Sequence, residues 1–327
     1  MKNRTQANRR EPRGRSAWHL LEQPPAIFAF VLFVPFVVVV WLACGQDAAS
    51  AARPAQDSTV QRLTTDGNLK QHPAWSPDGK LLVCTIYLKG KVGLVQRSLD
   101  VAEWKHVTPL DDNPEYEPVW SPDGGRIVFV QDSLSGTDGQ LRLYVMNADG
   151  SEAKQLVAPA NRPNQDEHPA WSPDGKTIAF TTTRAGNQEI YLCDADGSNL
   201  RRITTSPGAD SHPTWSPDGK QLAFCSVRFG NMEICAMGAD GSDVRRLTDH
   251  PALDYAPKWS PDGRHIAFTT TRDGDYEVYL VRPDGSGLVN LTRHAGLDKD
   301  PAWAPDGRWV TFVSNREGRF DLYRIGI

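Results

Sequence analysis

From about residue 60 onward the chain is a succession of short apolar runs rich in β-branched and aromatic residues, each bounded by turn-forming residues. Thr177-Ile178-Ala179-Phe180-Thr181-Thr182 and Glu189-Ile190-Tyr191-Leu192 are typical. A Ser-Pro-Asp-Gly turn precedes the first of these, with proline fixing φ and glycine supplying a positive φ. The second ends at Asp196-Gly197, the pair favoured in two-residue hairpins. The pattern recurs. Trp-Ser-Pro-Asp-Gly begins at Trp75, Trp120, Trp171, Trp215 and Trp259, and Trp-Ala-Pro-Asp-Gly at Trp303, at intervals of 45, 51, 44, 44 and 44 residues. Proline stands two residues before every one of these tryptophans, and phenylalanine nine after it, except at Cys84.

Four strands in a unit of about 44 residues is the arithmetic of a propeller blade. The expected fold is all-β, a six-bladed β-propeller. The sixth repeat stops at Ile327 after its third strand, Asp321-Leu322-Tyr323, and its fourth reappears before the first repeat as Gln61-Arg62-Leu63-Thr64. Residues 60–64 are therefore expected to pair with Asp321–Arg324 and close the ring, which removes the open edges of a linear stack.

Residues 1–51 carry six basic and three acidic side chains, so 52–327 holds 30 basic against 37 acidic. Ala26 to Ala43 contains no charge, and eighteen helical residues span about 27 Å, close to the hydrocarbon thickness of a membrane. Pro35 is expected to kink this helix. The basic residues precede it, which places the rest of the chain outside the cytoplasm. The sequence thus divides into a basic cytoplasmic tail (1–25), a transmembrane or signal-anchor segment (26–44), a linker (45–59) and the propeller (60–327). Cleavage at Ala49-Ser50-Ala51 and lipidation at Cys44, in a lipobox-like Leu42-Ala43-Cys44-Gly45, are the alternatives to a retained anchor.

An overall charge of −4 argues against a nucleic-acid partner, and the five cysteines show no Cys-x-x-Cys pair for zinc. No Gly-x-Ser-x-Gly elbow is present for a serine hydrolase.

The repeated elements, such as His72-Pro73-Ala74-Trp75-Ser76-Pro77-Asp78-Gly79-Lys80, Glu189-Ile190-Tyr191 and Arg245-Arg246-Leu247-Thr248, resemble those of TolB-like β-propellers over residues 60–327. The same repeat occurs in propellers attached to some serine peptidases and in some sugar-acid lyases. The α/β domain that precedes the TolB propeller has no counterpart between the apolar span and the first strand. The resemblance implies a non-enzymatic extracytoplasmic scaffold with a protein or cell-envelope polymer as partner and no cofactor. Unlike TolB, which is soluble in the periplasm, this chain is expected to be tethered to the membrane by its apolar span, with a monomeric propeller. The alternatives are a metal-dependent sugar-acid (oligogalacturonate-type) lyase or a small-ligand sensor, either using the central channel.

The residue before each repeated proline is His72, Glu117, His168, His212, Ala256 or Asp300. These positions begin the innermost strands, beside the channel. Imidazole and carboxylate are suitable ligands for a divalent metal, so His72, His168, His212, Glu117 and Asp300 are the candidate metal site. The alternative is a hydrated polar rim, with neighbours too far apart for a tight shell. Two residues upstream stand Lys70, Glu115, Asp166, Asp210, Asp254 and Asp298. Blades three to six add Arg184, Arg228, Arg272 and Arg316, followed five residues later by Glu189, Glu233, Glu277 and Asp321. Such repetition reads as partly exposed Arg–carboxylate pairs locking strands or blades. Asp194-Ala195-Asp196-Gly197-Ser198 resembles the start of a calcium loop but is explained by the hairpin. Cys225 and Cys235 flank a hairpin near Gly230; facing each other they would form a disulfide, but directly opposed strand cysteines are often strained, and the alternative is two buried thiols. Blades one and two break the pattern, with Lys89, Lys91 and Trp104 in the first and longer segments Asp132–Gln140 and Ala158–Gln165 in the second. Loops on a rigid scaffold commonly carry recognition; the alternative is neutral drift in surface loops.

Overall fold

The computed structural model describes residues 60–101, 103–133, 140–160 and 164–327. The basic tail, apolar span and linker lie outside these residues, as do parts of both blade-two insertions. Among the described residues no helix is long and apolar enough to cross a membrane.

Six four-stranded antiparallel sheets follow one another in sequence order. Blade three shows the plan, with strands Asp166–Trp171, Thr177–Thr182, Glu189–Asp194 and Arg201–Arg202 from the inside out. The Ser-Pro-Asp-Gly turn is held by its own side chains. The Ser172 hydroxyl donates to Asp174 Oδ1 at 2.6 Å and accepts from the Thr177 N–H at 2.9 Å, while Asp174 also takes the Lys176 N–H at 3.1 Å. The hydrogen bond from Ser172 is the main reason the Asp174 carboxyl is held below its ordinary range.

The core lies in the seams between blades. Val128, Val130 and Leu143 of blade two interlock with Ile178, Phe180 and Cys193 of blade three. Both faces of each middle strand are therefore covered, which is why these strands read as continuous apolar runs. Phe129, Phe180, Phe224, Phe268 and Phe312 are fully buried, and Cys84 takes the same place in blade one. Burying each phenylalanine contributes about 1.5–3 kcal/mol.

Strand Val60–Arg62 completes blade six, pairing Val60 with Ile325, Gln61 with Arg324 and Arg62 with Tyr323. The Leu63 N–H then donates to the Leu322 carbonyl at 2.7 Å. Inner strands of blades six and one pack together, so the ring is closed in the expected way.

The repeated charges form two tiers rather than one. Each blade-three-to-six arginine reaches back to the inner-strand acid of its own blade: Arg184–Asp166 at 3.0 Å, Arg228–Asp210 at 2.7 Å, Arg272–Asp254 and Arg316–Asp298 at 2.8 Å. The acids five residues further on belong to the fourth strand instead, with Glu189–Arg202, Glu233–Arg246 and Asp321–Arg62 all at 2.6 Å. The expectation of partly exposed pairs fails, because the four inner acids are fully buried. Removing one partner of such a pair costs about 3–5 kcal/mol, well above the value of a surface pair.

Two readings that the sequence left open are decided by the fold. Cys225 and Cys235 are free thiols, because the register opposes Phe224 to Cys235 and Cys225 to Ile234. The two sulfurs consequently enter different seams, Cys225 with Ile234 and Ala236, and Cys235 with Phe224 and Met237. Trp104 is not a protruding recognition residue. It packs against the blade-one core, with the Lys70 ammonium 5.7 Å and the Arg97 guanidinium 5.1 Å from its ring.

Candidate functional site

Each innermost strand carries a register shift against the second strand, for instance between Glu167 and Ala170. At the shift sits the residue before proline, and all six have a left-handed φ: His72 50°, Glu117 54°, His168 52°, His212 53°, Ala256 54° and Asp300 55°. Proline disfavours right-handed helical geometry in the residue before it, and a left-handed non-glycine residue costs about 1–3 kcal/mol. Ala256 adopts the geometry without any polar group. The bulge is therefore architectural, and what it presents to the channel varies from blade to blade.

Three of the sequence-derived candidates, Glu117, His168 and His212, meet at this layer. The Glu117 carboxylate accepts the His168 backbone N–H at 2.6 Å, and its Oε1 lies 3.4 Å from His168 Nε2. The His168 and His212 rings stack with centroids 3.5 Å apart. The Thr181 hydroxyl joins them, accepting the His212 N–H at 3.1 Å and lying 3.3 Å from His168 Nδ1. Asp300 Oδ2 sits 3.5 Å from the Lys299 ammonium, and His72 Nδ1 is buried without a hydrogen-bond partner. Stacked imidazoles hold their nitrogens side by side rather than converging on one point. Among the described residues no group of three or more His, Cys, Asp or Glu is placed to hold a metal ion.

Four channel residues escape a reading based on one position per repeat. Glu167, Tyr255 and Lys299 immediately precede the bulge residues, and Lys258 follows one two places on. Tyr255 meets His212 edge-on at 6.4 Å and Tyr276 at 6.1 Å. Their signal was the inner-strand alternation, once the bulge is allowed to turn two successive residues inward.

Electrostatically the channel disfavours charge. Burial lowers His168 to about 3, with the nearby His72 and Lys258 adding to the effect, and lowers His212 well below the ordinary value. Burial raises Glu117, and raises Glu167 to about 8 with help from the Glu117 charge. Burial lowers Lys258, against the pull of Glu117 and Asp300. Asp300 goes the other way. Burial alone would raise it, but the nearby Lys299, His72 and His212 hold its carboxyl below the ordinary range. His168 and Glu117 side chains remain 16% and 18% exposed, so the passage is narrow but wetted. Lowered histidines, the raised acids Glu117 and Glu167, the Asp300–Lys299 pair and Tyr255 together make a polar lining.

The six-bladed ring and its Ser-Pro-Asp-Gly turns match the TolB beta propeller domain model over residues 157–253 and 247–327. The chain belongs to that family. A TolB homolog from Chlorobium luteolum is 37% identical over 136 residues, covering 42% of this chain and 29% of the relative. The Tol-Pal system protein TolB of Thioalkalivibrio sulfidiphilus is 33% identical over 80 residues, 24% of this chain and 18% of the relative. The matched stretches thus span less than a third of either relative. The solved structure of a TolB described as putative, from Agrobacterium tumefaciens, superposes with a TM-score of 0.62 at 25% identity, covering 80% of this chain and 91% of that one.

Proposed function

We propose that the chain is a non-enzymatic extracytoplasmic scaffold that holds a protein of the cell envelope against one rim, in the manner of a Tol-Pal-type propeller, tethered through residues 26–44. The observation that carries this reading is the use of the repeated charges. Asp166, Asp210, Asp254 and Asp298, with their arginines, are all engaged within the blades and seams. That makes a rigid ring whose irregular surface lies in the loops and channel mouth, the usual place for recognition on a fixed frame. One rim also exposes apolar side chains, Phe229 and Leu253, from adjacent loops joined by the Asn231 amide, which donates to the His250 and Ala252 carbonyls at 2.6 and 2.9 Å.

The test is photocrosslinking in the native host from a probe at Phe229 and, on the opposite rim, at Asp262. Adducts with an envelope protein from only one of the two sites support the reading. No adduct from either site, in cells where the chain is abundant, overturns it. The metal-dependent lyase alternative has His72, His168, His212, Glu117 and Asp300 as its donors, and stoichiometric retention of a divalent metal by the purified chain would revive it.

A further inference from the structure

In blades three to six the arginine thirteen residues after the tryptophan occupies a repeated cradle. Its outer nitrogen meets the inner-strand acid. Its Nε donates to a hydroxyl on the second strand: Thr182 at 3.2 Å, Ser226 at 2.8 Å, Thr270 at 3.1 Å or Ser314 at 3.0 Å. Its guanidinium lies over aromatic rings, 5.7 Å from both Phe180 and Tyr191 in blade three and 4.9 and 5.0 Å from Phe312 and Tyr323 in blade six.

Blade two keeps this cradle and lacks its arginine. Glu115 holds the acid position and is 5% exposed. Phe129 and Tyr144 form the ring pair, with centroids 5.8 Å apart. Gln131 replaces the hydroxyl and donates its amide to Glu115 Oε1 at 3.4 Å. The other oxygen, Oε2, is buried with no hydrogen-bond partner, as is one oxygen each of Asp166, Asp254 and Asp298; unlike those acids, which have their arginines, Glu115 has no cation within ion-pair distance among the described residues. The Thr108 hydroxyl influences the carboxyl from nearby but does not reach hydrogen-bond geometry with Oε2. Position thirteen is Ser133, and the following residues 134–139 include no lysine or arginine. Blade one shows no such vacancy, since Lys70 stands in place of the acid and takes Asp66 as its partner.

We propose that the seam between blades one and two receives the guanidinium of an arginine side chain from the docked partner, which takes the place that Arg184, Arg228, Arg272 and Arg316 fill in their own blades. This rests on the scaffold reading and gives the partner's chemistry at one contact. Guanidinium is the fitting cation because the cradle offers a carboxylate edge and aromatic faces together, which a planar fork uses and a point charge does not. Entry is over Ser133, whose side chain shares a strand face with Gln131, the residue paired with Glu115.

The experiment titrates the purified full chain with N-acetyl-arginine methylamide and with its uncharged citrulline counterpart, following thermal stability and heat of binding at about pH 8. The arginine probe is expected to stabilise the protein and the citrulline probe not. Glu115→Gln should weaken the response at least about tenfold, equivalent to about 1.4 kcal/mol. Ser133→Arg, which supplies the missing side chain in cis, should melt above wild type and no longer respond. Equal effects of the two probes on wild type, or an undiminished response in Glu115→Gln, would overturn the proposal. Because only purified components are used, that failure would stand apart from the crosslinking result on the scaffold.

Discussion

Arg62 and Asp321 are 259 residues apart in the chain and 2.6 Å apart in the fold. The Asp321 carboxylate is fully buried, and its other oxygen accepts the Thr64 hydroxyl at 2.6 Å. Both partners therefore come from the segment that closes the ring, whereas Glu189 takes Arg202 and Thr204 from its own blade. Closure is locked by charge as well as by backbone pairing.

Arg62→Ala should then cost about 2–3 kcal/mol, because a buried carboxylate loses its ion pair while keeping one hydroxyl. Urea unfolding measures it. The double variant with Asp321→Asn should recover part of the loss. An Arg62→Ala midpoint equal to wild type would show that backbone pairing alone seals blade six.

Two glycines with positive φ separate backbone strain from steric exclusion. Gly197 has φ +88°, and a methyl there would lie 1.8 Å from the Leu156 carbonyl oxygen of the preceding blade. Gly230 has φ +104° and open space around it. Gly230→Ala should cost about 1–2 kcal/mol, the backbone term alone. Gly197→Ala should cost at least about 3 kcal/mol, since the hairpin must leave the seam. Equal urea midpoints for the two variants would contradict this.

Stability should depend on pH in two opposed windows. His168 falls from 6.5 to about 3 on folding, so its neutral form is favoured in the native state. That contribution is complete above 6.5 and is lost as pH falls towards 3. Glu167 rises from 4.5 to about 8, so its contribution is complete below 4.5 and is lost as pH rises towards 8. Channel water keeps each slope well under the limit of about 1.4 kcal/mol per pH unit for one group. Glu167→Gln should gain stability relative to wild type between about pH 5 and pH 8, read as the change in melting-temperature difference. A constant difference across that range would remove Glu167 from the account.

The blades were legible because Pro, Gly and Asp-Gly punctuate the sequence at fixed phase, and the closing strand because Arg62-Leu63-Thr64 repeats Arg246-Leu247-Thr248. The charge pairing was not, because the nearest acid in sequence is not the nearest in space. Asp166 opposes Thr182 across the hairpin, which brings Arg184 back to it and leaves Glu189 to the outer strand. The channel was half legible. His168 and Glu117 stood at the expected position, but the left-handed bulge also turns Glu167 and Tyr255 inward, where strict alternation from His168 and Ala256 would send them to the seam. The choice between a disulfide and two buried thiols turned on one residue of register, which puts Cys225 and Cys235 on opposite faces.

The closing strand also sets an order of events. Residues 60–62 leave the ribosome long before Asp321–Gly326, their pairing partner, has been made. At about 5–20 residues per second the interval is on the order of tens of seconds, far longer than the microseconds in which a hairpin forms. Blades one to five can each assemble as they emerge, since all four of their strands are consecutive. Blade six cannot. Throughout synthesis the nascent propeller is an open crescent with an unpaired strand at its leading end, and its last step joins the oldest part of the ring to the newest.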